Sequence, residues 1–326
     1  MILYKNYGLG AWKRKLELTH DSTMRDKTFS DSRIRIFVVP VPKFLRPDKL
    51  PFVYPKYSHD WGVEQDFDFA VRHSSERVFD PIEATHHYLP IYWTRYWVQN
   101  KYGKEGIEEL RSELKQLDFD EQKLFTVCQY DDGPLVDLHF GNGLFLSSRK
   151  TEMGQDIPLI ASPFPKMLAI RNTKNTLLSF QGRVSTHTLR VRMMEDLGSL
   201  PGVVIRDQIT STRAYYKSLT SSYVALAPRG YGGSSFRFFE AMQVATVPAL
   251  IGDLDTRPFK EFINWGEISF YAESAIDLYA QVTKYSNNEL LEMGKNAQKI
   301  FWEHLAFGKW TKLLWQHLLF TEINRN

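Results

Sequence analysis

The sequence contains one cysteine, Cys128, so no internal disulfide can form and the fold cannot depend on an oxidising compartment. It also lacks a charge of one sign. Lys and Arg number 41 against 38 Asp and Glu, and a net charge of +3 with dispersed basic residues argues against a nucleic-acid partner. No stretch approaches the roughly 18 uninterrupted apolar residues of a membrane span. The first 25 residues mix charges with aromatics and have no apolar run of the signal-peptide kind, so the chain as it stands is expected to be soluble. Internal repeats and low-complexity tracts are absent too. What is present is the balance of a globular protein, 43% hydrophobic and 24% charged, and 326 residues point to about two domains. The aromatic content of 14% suits sugar or base stacking, but it suits a packed core better.

The two halves read differently. In the first, residues 34–39 (IRIFVV) predict a strand ended by Pro40 and Pro42, with a Pro-rich loop to residue 55. A helical segment over 63–71, an apolar run over 86–92, and a third strand over 124–129 follow. Ile107, Leu110, Leu114 and Leu117 mark one face of an amphipathic helix. Residues 133–165, with several Gly and Pro, read as mostly loop. The second half alternates regularly. Strands are expected at 176–181, 203–206, 223–227 and 246–251, with helical segments between them, the clearest at 186–197 and stopped by Gly198. That alternation implies an α/β fold with a parallel sheet covered on both faces. Ser286 and Glu289 have capping-box spacing, and a last amphipathic stretch carries Trp310, Leu313, Leu314, His317 and Leu318.

The chemistry concentrates in residues 222–253, SYVALAPRGYGGSSFRFFEAMQVATVPALIGD. A buried strand (223–227) leads, past Pro228 and Arg229, into the glycine-rich turn Gly230-Tyr231-Gly232-Gly233. Ser234 and Ser235 follow, and a helix then carries Arg237 and Glu240. Glycines let backbone N–H groups approach an anion, and a helix start adds a positive dipole. A guanidinium in the first turn can bind two phosphate oxygens, and Glu240, one turn on, is placed to reach a ribose diol. The same residues also fit a plain tight connection with an Arg–Glu pair on a helix surface. On the residues alone, both readings stand.

This segment resembles the donor-site signature of the exostosin family, glycosyltransferase family 47, through Pro228, Gly230, Ser235, Arg237, Glu240, Ala241, Val247, Pro248 and Asp253. Ala245-Thr246 replaces the family's usual Gly-Cys. Upstream, Asp80, Pro81, Ala84, Pro90 and Tyr92 match a second family element, and Gly62-Val63-Glu64 with Phe67 a third. LLSFQGR at 177–183 with Arg190 matches the opening of the donor domain, and Trp265, Phe270 and residues 274–276 fit downstream. The string His59-Asp60-Trp61-Gly62 mimics a family His-Asp-x-Gly motif but comes too early; its slot falls at Tyr130-Asp131-Asp132-Gly133.

The resemblance implies a GT-B architecture, two Rossmann-like domains facing across a cleft. These would be an acceptor-binding domain over 1–165 and a donor-binding domain over 166–326, with the last helix (about 306–326) packing back on the first. It implies an inverting transfer from a nucleotide-sugar, most simply a UDP-sugar, to a glycan hydroxyl. The donor contacts would be Arg183, Arg190, Arg229, Gly230, Gly232, Gly233, Ser234, Ser235, Arg237 and Glu240, with Arg183 and Arg190 closing over the phosphates. The base would come from the N-terminal half, as Asp131 or its neighbour Asp132, although Asp-Asp-Gly-Pro is also a good turn sequence. No metal or other cofactor is expected. Asp253-Leu254-Asp255 imitates a GT-A metal motif but follows the donor motif, and His86-His87 lacks zinc spacing. The rival readings are an inactive sugar-binding subunit of the same fold and a GDP-fucose-dependent transferase. A redox Rossmann enzyme is disfavoured, because Gly-x-Gly-x-x-Gly is missing.

Overall fold

The structure is a computed structural model and describes residues 34–48, 62–165, 173–208 and 210–325. Two all-parallel sheets organise it. The first contains β1 (Ile36–Val38), β2 (Arg77–Val78), β3 (His86–Tyr88), β4 (Leu124–Cys128), β5 (Gly143–Leu146) and β6 (Gln155–Asp156), in the order β2-β1-β3-β4-β5-β6. The second contains β7 (Thr176–Gln181), β8 (Val203–Arg206), β9 (Ser222–Pro228), β10 (Val247–Ile251) and β11 (Phe270–Ala272), in the order β11-β10-β9-β7-β8. Every pairing in both is parallel. Such strands must be buried on both faces, which is why β4 and β10 are buried at every residue.

In the first unit, α1 (Val63–Arg72), α2 (Trp93–Gln99) and α3 (Ile107–Leu114) cover the sheet. In the second, α4 (Thr188–Leu197), α5 (Thr212–Thr220), α6 (Phe236–Gln243), α7 (Ala275–Val282) and α8 (Asn287–Ile300) do so. A π-helical turn, Phe301–Leu305, links α8 to α9 (Thr311–Arg325). α8 opens on the Ser286/Glu289 capping box predicted for it. Gly198 does cap α4, but in the right-handed region. A Cβ there would lie 2.6 Å from the Met194 carbonyl, so it is the lack of a side chain that matters.

One apolar core crosses the seam between the units. Phe67, Tyr88 and Phe125 of the first pack in the same cluster as Phe238, Phe239, Phe301, Trp310 and Leu314 of the second half. Trp310 Nε1 donates to Asp66 Oδ2 at 2.8 Å, and the Gly308 N–H donates to the same oxygen at 2.7 Å. Both bonds tie the C-terminal segment to the first turn of α1.

In the first half, residues 133–165 are mostly loop, as expected, but also carry β5 and β6, whose shortness and flanking glycines hide them from a periodicity reading. The apolar run at 86–92 stops being strand at Tyr88, and Trp93, Tyr96 and Trp97 are buried on one face of α2. Their aromatic character favours strands intrinsically, and burial overrides it. The expected junction near residue 165 abuts residues 166–172, which lie outside the described residues, as does His59-Asp60-Trp61.

Candidate functional site

The carboxyl ends of the two sheets meet. The turn at 230–233 leaves β9 and presses against the residues that follow β4 and β5. A Cβ on Gly232 would sit 2.5 Å from the Ser148 carbonyl and 2.7 Å from Asp131 Oδ1, so only glycine permits this approach. The Gly233 N–H donates to the Arg149 carbonyl at 3.1 Å, and Thr256 Oγ1 donates to the Gly233 carbonyl at 3.3 Å. In open α/β sheets the crevice at the strand ends is where ligands bind.

On the second-unit side, Ser235 precedes α6 without a side-chain cap, and the first turn of α6 has no acidic residue. That start is therefore set up to receive an anion. Arg229 is buried and pairs with the exposed Asp253, and its Nε has no hydrogen-bond partner. Arg237 donates from Nη2 to the Gln181 carbonyl at 2.5 Å, and its guanidinium lies 4.3 Å from the Phe180 ring centroid and 5.7 Å from that of Tyr215. Its Nε is likewise buried and unpartnered. Gly182 allows this packing, since a Cβ there would fall 2.7 Å from Arg237 Nη2.

Arg190 has a different task. It donates to three backbone carbonyls, those of Arg229 (2.9 Å), Arg183 (3.1 Å) and Pro228 (3.2 Å), and so braces the exit from β9. Arg183 is exposed at the start of a short helical turn, Val184–Thr186. Ser234 and Ser235 are buried beside the glycines. Glu240 is buried and receives the Tyr215 hydroxyl, so it is not a surface partner of Arg237.

Across the seam, Asp131 is hydrogen-bonded to the buried Ser148, and burial raises its pKa. The Ser148 hydrogen bond and the charges of Lys150 and Arg229 oppose that rise, while Asp132 adds to it. Asp132 is exposed and pairs with Lys150. Behind Asp131, Gln129 follows β4, and its N–H donates to Glu64 at 2.8 Å. Glu64 also accepts from the Thr94 N–H at 3.1 Å and the Thr94 hydroxyl at 3.0 Å. Gln129 Oε1 in turn accepts from the Val63 N–H at 3.1 Å.

A family model for the Exostosin GT47 domain matches residues 147–276. Over that segment the chain resembles the exostosin family. It is similar to Exostosin-1 of Bos taurus, 31% identical over 102 residues, which is 31% of this chain and 12% of that protein. To Exostosin-1 of Drosophila melanogaster it is 28% identical over 101 residues, 31% of this chain and 13% of that protein. The chain thus matches only about an eighth of the length of these relatives. Among solved structures, it is similar to TarM, with a TM-score of 0.36 at 10% identity over 61% of this chain and 55% of the other. AviGT4, a glycosyltransferase involved in Avilamycin A biosynthesis, gives a TM-score of 0.35 at 13% identity over 88% of this chain and 98% of the other. The two parallel sheets with their covering helices are the α/β architecture expected from the sequence.

The matched segment begins at Ser147, and so includes Ser148 and Arg149, the residues the glycine turn docks against. Asp131 and Asp132 lie outside it and are brought to it by the fold. Sequence reasoning missed Ser148, Phe180 and Tyr215. Phe180 was legible only as a core strand residue, and Tyr215 had no local signal at all. The Asp253-Leu254-Asp255 string is divided between two ion-pair systems, Asp253 with Arg229 and Asp255 with Arg257 and Lys260. His86 and His87 are buried, with Thr85 Oγ1, the Pro81 carbonyl and the Asp120 N–H as partners. Among the described residues no group of three or more His, Cys, Asp or Glu is arranged to hold a metal, and no helix is long and apolar enough to cross a membrane.

Proposed function

We propose that this protein is an inverting glycosyltransferase that moves a sugar from a nucleotide-sugar, in the first instance a UDP-sugar, to a hydroxyl of a glycan. The observation that carries this reading is the pair of buried guanidinium N–H groups, on Arg229 and Arg237, that have no partner beside the uncapped start of α6. Buried donors are nearly always satisfied, and a diphosphate would satisfy these. The matched Exostosin GT47 domain spans the same residues.

In this mechanism the acceptor hydroxyl attacks the anomeric carbon of the donor sugar. The new glycosidic C–O bond forms as the bond from that carbon to the diphosphate oxygen breaks, and the electron pair leaves with the diphosphate. Arg229, Arg237 and the α6 start stabilise that developing charge, with no metal required. Asp131 takes the proton from the hydroxyl. Burial strengthens it as a base, and the Ser148 hydrogen bond holds its orientation. Arg190 contributes by fixing the turn.

The test is a thermal-shift panel of UDP, GDP, CMP and NAD on the wild type and Arg237→Ala. A ligand that binds only the folded state raises the midpoint by mass action. The expected result is stabilisation by UDP that the variant loses. Stabilisation by GDP alone would redirect the reading to a GDP-sugar donor, and stabilisation by none of the four would sink it.

A further inference from the structure

Ser148 and Arg149, which follow β5, touch both sides of the seam. The Ser148 side chain is hydrogen-bonded to Asp131, and its carbonyl oxygen stands 2.5 Å from where a Cβ on Gly232 would be. The Arg149 carbonyl accepts the Gly233 N–H at 3.1 Å. From the other side, Thr256 Oγ1 donates to the Gly233 carbonyl at 3.3 Å, so each unit grips one polar group of the same buried glycine. A Cβ on Gly233 would lie 2.4 Å from the Arg149 carbonyl oxygen and 3.0 Å from Thr256 Cγ2.

The Arg149 side chain fixes where this segment lies. Its Nε and Nη2 donate to Asp156 Oδ1 and Oδ2, both at 2.9 Å, in the two-pronged geometry of a guanidinium on a carboxylate. Its Nη1 donates to the Thr151 carbonyl at 2.9 Å and to Glu152 Oε2 at 3.2 Å. All three nitrogens are thus engaged, whereas Arg229 and Arg237 each keep a buried Nε without a partner. Arg149 is therefore not arranged to receive a phosphate. Asp156 ends β6, the two-residue edge strand beside β5, and the side chains of Arg149 and Asp156 are 9% and 10% exposed. A buried ion pair is a poor source of net stability, since apolar residues of the same volume serve as well or better. What a bidentate pair supplies is direction, and here it directs the backbone that meets Asp131 and Gly233.

We infer that Arg149, locked by Asp156, is a positioning residue for the transfer site: it holds Ser148 against Asp131 and its own carbonyl against Gly233. One side chain of the first unit thereby aligns the base with the donor turn. The bearing on donor binding rests on the glycosyltransferase reading, whereas the ordering of the turn does not. Loosening Arg149 should disturb the turn and Asp131 together.

Two variants test this. Arg149→Lys keeps the charge and loses the fork, and Arg149→Met combined with Asp156→Leu replaces the whole pair by apolar side chains, should the single change fail to fold. Three readouts apply: hydrogen exchange of the Gly233 amide relative to the β10 amides, the NMR titration of the Asp131 carboxyl carbon, and UDP affinity by calorimetry. Gly233 should exchange about tenfold faster relative to β10, and UDP should bind about tenfold more weakly. The Ser148 bond lowers the pKa of Asp131, and Lys150, Asp132 and Arg229 are untouched, so Asp131 should titrate at higher pH in the variants. Glu152→Gln, at a side chain 87% exposed, should change none of the three. In a folded variant, unchanged Gly233 exchange, an unchanged Asp131 titration or unchanged UDP affinity each overturns the inference. A wild type that does not bind UDP, with faster Gly233 exchange in the variants, would instead defeat the donor reading and leave Arg149 as the residue that orders the turn.

Discussion

Replacing Glu64 by glutamine should alter the pH dependence of stability more than stability itself. Glu64 is 1% exposed, and burial pushes its carboxyl from the ordinary 4.5 up to about 7. The Gln129 and Thr94 donors and the Arg95 charge offset part of that rise, as does the start of α1, where an anion is favoured. Between pH 4.5 and about 7 the folded protein holds this proton while the unfolded chain has lost it. Raising the pH through that window therefore costs stability, and above pH 7 the loss is complete. At about 1.4 kcal/mol per pH unit the total is about 3 kcal/mol. Glutamine is uncharged throughout, and its carbonyl oxygen can accept from the same donors. Near pH 5 the variant should match the wild type within about 1 kcal/mol, and by pH 8 it should be the more stable by about 3 kcal/mol. Denaturant unfolding of both proteins from pH 5 to pH 8 measures this, and subtracting the curves removes the histidines they share. Parallel curves would refute the reasoning and mean that the three donors keep Glu64 ionised at all these pH values.

Gly232→Ala places a methyl group against Ser148 and Asp131; it should cost about 1–3 kcal/mol and lower sugar transfer about 100-fold. Pairing it with Ser148→Gly should not restore transfer, because the Ser148 carbonyl remains 2.5 Å from the new carbon; full recovery in a UDP-release assay would contradict the docking described. Trp310→Phe removes the donor to Asp66 and should lower stability by about 1–3 kcal/mol, measured by urea unfolding, with UDP stabilisation kept. Asp131→Asn should abolish UDP release in the presence of acceptor while leaving the UDP thermal shift intact; retained turnover would remove Asp131 from the role of base.

The second sheet was legible because each strand there is a short apolar run bounded by turn signals and separated from the next by a helix. β7 and β8 fall where their residues predict, and β9 and β10 within a residue at either end. The first sheet was harder. β2 and β6 have two residues each, too few for any period to show, and α2 is an aromatic segment that only burial makes helical. At the site, the glycine turn and Arg237 could be read as a candidate anion site because strand end, glycine turn and helix start are contiguous in the sequence. The fates of Arg190 and Glu240 could not. Which carbonyls Arg190 reaches and which hydroxyl caps Glu240 depend on how α4, α5 and β9 pack.

By itself, then, the sequence determined the α/β class and the strand positions of the second sheet, both of which follow from spacing within a few residues. The tertiary structure alone decided that Asp131 and Ser148 stand against Gly232, 84 to 101 residues away along the chain. It alone decided that α9 returns to α1 through Trp310 and Asp66. Those contacts join loops and helix ends whose positions are set by two sheets packed across one shared core. No local pattern encodes a distance between residues that meet only once both sheets are built.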